Sequence, residues 1–454
     1  MQKTGKHEID FTTGSLFKKL LIVAIPLILT NMLQLLFNAA DVAVVGIFDG
    51  DDAVAAVGAN TALINLIINL FVGLGAGASV VLSKYVGERN KEQAHKLVGT
   101  SVLLSVIIGV GLSFVGIFGA KTFLTWMNCD PKILDKAALY LRIYFIGMPI
   151  IMLYNFASGL LRAVGDTLRP MIFLLLGGVI NVVLNIVLCY FGLSVAGVAI
   201  ATITSQAVSA VLAIWIMIKS DGFCKLSISH LKIYKSEFKE IIRVGLPSGI
   251  QASMFSISNV LIQSTVNTFM KVGTTANAIA HQFDAFVAMM GNGVALASMS
   301  VISQNYGAND LPRIKKTILY ASTTAFVIDM IGGAIILLLA EPLCRIMTSN
   351  PAVIELAKVR MTIMCLTFGI GNVMDVLTYA LRALGKSTTA MVISILFVCV
   401  FRIIWLNTFY LLNPTFAMIF YSYPISWFMS IVVNMLFLVP TINKIKKRIN
   451  GNGC

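Results

Sequence analysis

The chain has 454 residues, of which 58% are hydrophobic and 12% charged, with a formal net charge of +14. A soluble domain sits nearer about 45–50% apolar and about 25% charged. Apolar runs of about 20 residues recur from residue 16 to residue 440 without polar linkers between them, which excludes a soluble enzyme, a disordered chain and a single-anchor receptor.

A bilayer core about 30 Å thick takes about 20 apolar residues as a helix. By that rule the predicted elements, in chain order, are helices over 16–45, 53–83, 95–119, 136–161, 170–191, 195–218, 240–269, 276–305, 316–340, 356–381, 388–411 and 416–440. The fold class expected is therefore an all-α membrane protein with twelve transmembrane helices. The runs lack the alternation of a barrel strand. Polar residues 1–15 lead into a first helix too long for the core of a signal peptide. The seven cysteines show no CxxC spacing and lie mostly in apolar runs, so neither a disulfide framework nor a zinc site is expected.

Loop charge sets orientation. About three quarters of the 34 basic residues fall on one side, among them Lys84, Arg89, Lys91 and Lys96, the stretch from Lys219 to Arg243, and the tail from Lys444 to Arg448. The acidic tip Asp49-Gly50-Asp51-Asp52 falls on the other. Both termini are expected in the cytoplasm of a multi-pass protein of the cell (inner) membrane. The basic excess then reflects topology, and no nucleic-acid partner is needed to explain it.

A shift of about 220 residues superimposes the halves. Val23-Ala24-Ile25-Pro26 falls on Val244-Gly245-Leu246-Pro247, Ser83 and Gly87 on Ser303 and Gly307, and Leu161-Arg162-Ala163-x-Gly165 on Leu381-Arg382-Ala383-x-Gly385. Six spans per half make the repeats parallel. The domains expected are an N-terminal six-helix lobe over 1–218, a basic cytoplasmic linker over 219–239, and a C-terminal six-helix lobe with a basic tail over 240–454. Transporters built in this way put their sites between or within the halves. Pro26 and Pro247 lie at equivalent depth and favour a kink, whether a bending point or a static one.

An ionisable group inside a span is costly and is a functional candidate by default. Asp41, Asp284, Asp329 and Asp375 are the carboxylates well inside predicted spans. Asn31, Gln34, Asn38 and Asp41 share one helix face. Further uncharged polar stripes carry Thr61, Asn65 and Asn69; Asn181 and Asn185; and Thr202, Gln206 and Ser209. Burial disfavours a charged carboxylate, so Asp41 among amides is a group that can collect a proton from one side and release it to the other. In the second half, Asn372, Asp375 and Tyr379 share a face, and His281 lies one turn from Asp284. Arg402 needs a partner, for which Asp375 and Asp329 are available. Asp375 either contacts a cationic substrate or neutralises Arg402. Gly73-x-Gly75-x-Gly77 has no preceding strand and no following Lys-Ser/Thr, so close helix packing is the better reading than a phosphate loop. No hydrolase or metalloprotease motif is present, and no enzymatic activity is expected.

These residues resemble the multidrug and toxic compound extrusion (MATE) family over essentially the whole chain. The resemblance rests on Pro26 followed by Asn38-x-x-Asp41-x-x-x-x-Gly46; on Ser83-x-x-x-Gly87, repeated as Ser303-Gln304-Asn305-Tyr306-Gly307-Ala308; on Leu161 to Thr167; on Asn181-x-x-Leu184-Asn185; and on Gly197-x-Ala199-x-Ala201-Thr202. It implies a V-shaped pair of six-helix lobes that export cationic or amphiphilic organic compounds in exchange for protons or sodium. In the DinF-like branch, the aspartate matching Asp41 is the coupling residue, with positions matching Asn181, Asn185 and Thr202 completing the site. Asn185 stands where that branch usually has aspartate, which weakens a sodium site, since hard cations want anionic oxygen. Proton coupling through Asp41 is unaffected by that change. Gln34, Asn38, Asn65, Gln206, Asp284, Asp375 and Tyr379 are the substrate-binding candidates. The partners expected are small-molecule substrates and the bilayer, with the chain a monomer. No cofactor is expected beyond the proton gradient, with sodium possible at Asp41, Asn181 and Thr202. The alternative is a lipid-linked precursor flippase of the related superfamily.

Overall fold

The computed structural model describes residues 7–127 and 129–451. Lys3, Lys6 and Cys454 lie outside the described residues. Among those described, regular structure is helical throughout. The helices are α1 (Leu16–Gly50), α2 (Asp52–Gly87), α3 (Lys91–Trp126), α4 (Leu134–Ile146), α5 (Met148–Ala163), α6 (Leu168–Tyr190) and α7 (Ser194–Lys219). They continue with α8 (Lys235–Asn267), α9 (Met270–Gly307), α10 (Leu311–Leu338), the short α11 (Ala340–Met347), α12 (Pro351–Ala383), α13 (Ser387–Leu412) and α14 (Phe416–Gly451).

Each of the twelve expected spans coincides with one of these helices, the fourth with the pair α4 and α5, which is bent by 52° at Gly147. Among the described residues nine helices are long and apolar enough to cross a membrane, or ten if the bent pair is one span. The two remaining long helices, α8 and α12, carry five charged side chains each, more than any of the others. With no water in the hydrocarbon to satisfy backbone groups, long helices are the economical answer for so apolar a sequence.

The repeat is geometric as well as sequential. Left-handed backbone closes α1 at Gly50 (φ 74°) and stands at the equivalent Met270 (φ 55°) between α8 and α9. It recurs at Arg89 and Asn309 (φ 57° each) and at Gly165 and Gly385 (φ 85° and 78°). The last two glycines follow α5 and α12, where a residue without Cβ takes the left-handed turn at no steric cost. After each of the Arg89 and Asn309 turns a side chain caps the next helix: Asn90 accepts from Gln93 N at 3.1 Å, and Asp310 from Arg313 N at 3.0 Å.

The chain divides into two compact units. One comprises residues 1–10 and 29–249, the other 11–28 and 250–454. This departs from the expected split into 1–218 and 240–454. The opening part of α1 belongs to the second unit, and α8 as far as Gly249 belongs to the first. Both crossing points lie two residues beyond a proline of the repeat, Pro26 or Pro247. Hydrophobic periodicity could not reveal this, because it reports that a face is apolar and not what it packs against.

Within the first unit, small residues let α2 and α8 approach backbone to backbone. A side chain at Gly73 would collide with the backbone of Gly249, and one at Gly77 with that of Gly245; Gly75 faces the Phe156 ring. Helix packing is thus the role of this glycine run. At one end of the unit, Ile9 N donates to Val164 O at 2.9 Å, and Glu8 accepts from Cys224 N. Beside them, burial raises the Asp166 carboxyl above its ordinary range, against the pull of Arg169, which donates to it.

Candidate functional site

In the first unit, α1, α6 and α7 bring together the four residues named as a coupling site. Asn185 Nδ2 donates to Asp41 Oδ1 at 2.5 Å and to Asn181 Oδ1 at 3.2 Å. Asn181 Nδ2 in turn lies 3.4 Å from Thr202 Oγ1. Asn181 and Asn185 are one helical turn apart on α6, so both amides face α1. Asn185 is fully buried and Asn181 nearly so. The result is one carboxylate at the end of a hydrogen-bonded chain of neutral side chains.

Gln34, Asn38 and Gln206 line a small cavity with Asp41, Asn181 and Thr202. Its volume is about 70 Å³. That is room for a few water molecules and not for a drug-sized compound. Asn65 is not among its walls and is exposed. Gly177 and Gly178 keep the floor of the cavity open on α6, and a side chain at either would meet Ser209 or Phe37.

In the second unit the carboxylates fall into different environments. Asp284 is 1% exposed and is gripped by Arg360, whose Nε lies 2.9 Å from Oδ2 and which also bonds Asn277. His281 lies 3.4 Å from the same carboxylate. Arg360 falls near the start of the predicted 356–381 span, and Asp284 is one of the substrate-binding candidates; the structure makes them a buried ion pair between α9 and α12. Breaking such a pair leaves a lone charge in low dielectric. Arg360→Ala is therefore expected to destabilise the protein by roughly 3–5 kcal/mol. Thermal unfolding in detergent measures this, and a melting temperature equal to wild type would show that the pair contributes nothing.

Asp329 accepts from Asn372 Nδ2 at 2.6 Å. Asp375 is bonded by the Asn292 side chain, which also bonds Tyr379, and its nearest cation is Arg382. Arg382 stacks on Tyr379 and donates to Gln251 Oε1 at 2.6 Å. Neither expected carboxylate partners Arg402. Its guanidinium donates to Ser426 Oγ at 3.0 Å and lies 3.9 Å from the centre of the Tyr423 ring. Aromatic residues on α14 thus take the place assigned to an aspartate, a substitution that hydropathy cannot signal. Asp375, Asn372 and Arg402 line a second cavity, of about 280 Å³, walled by Phe255, Phe368 and Trp427. Tyr379 is not among its lining residues.

The MatE family model matches residues 26–191 and 247–408, one match in each half. A probable multidrug resistance protein of Bacillus subtilis, YoeA, is 29% identical over 72% of this chain and 71% of its own length. The probable multidrug resistance protein NorM of Thermotoga maritima is 27% identical over 83% of this chain and 82% of its own. An outward-facing multidrug resistance MATE family transporter of the MOP superfamily superimposes with a TM-score of 0.91 at 25% identity, over 98% of this chain and all of that one. With the family model covering most of both halves, and a fold shared from end to end, the chain belongs to the MATE family and is a multi-pass membrane transporter.

Proposed function

We propose that the protein exports cationic or amphiphilic organic compounds across the cell membrane in exchange for protons, with Asp41 as the coupling group. It acts as a monomer with both termini in the cytoplasm. The observation that carries this reading is the hydrogen-bonded chain from Asp41 through Asn185 and Asn181 to Thr202. A single carboxylate there exchanges a proton and alters its bonds in doing so. Ionised, both oxygens of Asp41 accept hydrogen bonds; protonated, one becomes a donor and the charge is gone. Desolvation favours the neutral form, so a proton taken from the acidic outer side is retained while the helices repack and substrate leaves. Release of that proton to the cytoplasm restores the charged state for loading. Asn185 contributes a donor where a second carboxylate would serve a sodium ion, so the donor set favours a proton.

Proteoliposomes loaded with a fluorescent organic cation test the coupling. Efflux is expected under an inward-directed proton gradient and is expected to survive replacement of sodium by potassium. Efflux driven by sodium alone, indifferent to the proton gradient, would remove the proton from the mechanism. The flippase reading rests on Arg402 and would replace this one if a pyrophosphate-lipid analogue were moved in an Arg402-dependent manner.

A further inference from the structure

A cavity of about 540 Å³ in the second unit has no part in the coupling scheme. It lies where α11, the first turns of α12 and the start of α14 meet, at the end of α14 opposite its basic last turns. The short helix α11 is anchored by the buried Ala340 and Cys344, the thiol 3.8 Å from the Met361 sulfur on α12. Beside them Glu341 and Arg345 stand one turn apart. Arg345 Nη2 donates to one oxygen of Glu341 at 2.8 Å, and Lys358 Nζ of α12 to the other at 3.1 Å. Exposed ion pairs of this kind contribute little to stability. Glu341 also takes up only part of the donor capacity of the two cations. Glu355, three residues before Lys358 on α12, is exposed and has no ion pair among the described residues. Past these charges the lining turns apolar, with Val359 and Ile363 on α12 and Tyr421, 46% exposed, on α14. From Pro351 to Ile363 the walls cover about 18 Å of helix. The expected span of α12 begins at 356, so the charges sit at the membrane interface and the apolar lining continues into the hydrocarbon.

We propose that this groove is a binding site for a bilayer phospholipid whose head carries a primary ammonium group, a phosphatidylethanolamine. The lipid's phosphate bonds to Arg345 and Lys358, its ammonium group to Glu355, and one acyl chain lies along Val359, Ile363 and Tyr421. Two cations and two carboxylates line the polar end, so a head with both signs of charge is matched at each. An anionic head without an amine turns negative charge toward Glu355 and offers it no cation. A quaternary ammonium head keeps the charge but has no N–H to donate. A soluble phosphoamine fills the polar end and leaves the apolar walls uncovered. The site is independent of the export reading, since lipid binding is measured without substrate or gradient.

Delipidated protein in detergent is mixed with equal amounts of phosphatidylethanolamine, phosphatidylcholine and phosphatidylglycerol of identical acyl chains, and retained lipid is read by native mass spectrometry. Phosphatidylethanolamine is expected to be retained over phosphatidylcholine by about tenfold, the scale of one charge-assisted hydrogen bond. Phosphatidylglycerol is expected to be retained no better than phosphatidylcholine. Glu355→Gln is expected to bring the ethanolamine-to-choline ratio to about one. Its side chain is exposed, so the variant is expected to fold as wild type does. Lys358→Gln is expected to lower retention of phosphatidylethanolamine several-fold. Glycerophosphoethanolamine, the same head without acyl chains, is expected not to displace the lipid at equal concentration. A ratio near one in wild type, a preference for phosphatidylglycerol, a wild-type ratio preserved in Glu355→Gln, or displacement by the free head each overturns the proposal.

Discussion

Asp41→Asn is expected to reduce proton-driven efflux of an organic cation by at least about tenfold while leaving the protein folded. The substitution changes little in shape. Its Oδ1 still accepts from Asn185, whose amide lies 2.5 Å from the native carboxylate. What disappears is the only group of the hydrogen-bonded chain that can gain and lose a proton, since Asn181, Asn185 and Thr202 are neutral at every physiological pH. A defect of packing would lower the melting temperature and the yield as well; a defect of coupling leaves both in place. The measurement is efflux from proteoliposomes under an imposed pH step, with thermal unfolding in parallel. Full pH-driven efflux by the variant would show that coupling lies elsewhere, with Asp375 the next carboxylate to examine.

Gly77→Ala is expected to destabilise the protein on the order of 3 kcal/mol, a large effect for one methyl group. The added Cβ would lie against the backbone of Gly245 and the carbonyl of Ile241, and backbone cannot rotate out of the way as a side chain can. Relieving the overlap requires α2 and α8 to separate along their whole contact, which also includes Gly73 against Gly249. Gly111→Ala is the control. Nothing among the described residues lies within 4 Å of the place its methyl group would take, and alanine is the better helix former there. The pair of variants should therefore shift the melting temperature in opposite directions. Equal melting of Gly77→Ala and wild type would mean that the helices do not pack at this distance.

Much of this architecture was legible in the sequence because the bilayer is an exacting solvent. Span length, the offset of about 220 residues and the glycine run each follow from constraints that leave few alternatives. Asp41 stood out because a carboxylate inside a span needs a reason, and Asn181, Asn185 and Thr202 were visible as polar stripes, but their grouping with Asp41 came from the family resemblance. The charged residues of the second half were harder. Arg360 lies near a predicted helix end and has the position of a loop cation, although α12 extends back to Pro351 and buries it against Asp284. For Arg402, charge suggests a countercharge, yet Tyr423 supplies the contact through its ring face. Asn65 fits the polar stripe but is exposed and does not line the cavity near Asp41, which composition does not encode. None of these partners has a fixed sequence spacing, which is why local reasoning did not reach them.

The exchange of segments between the two units has a consequence for biosynthesis. The stretch 11–28 leaves the ribosome among the first residues of the chain, yet its packing partners lie in 250–454 and appear only after 29–249 has been made. It must be kept in the membrane without its final neighbours throughout that interval, as an apolar helix with one proline can be. Nor does a cut in the connection between α7 and α8 yield two self-sufficient products. The upstream fragment would carry a piece of the second unit, and the downstream fragment would begin with a piece of the first. Although the gene reads as a duplication, the boundary between its two copies in the sequence is not the boundary between the two compact units.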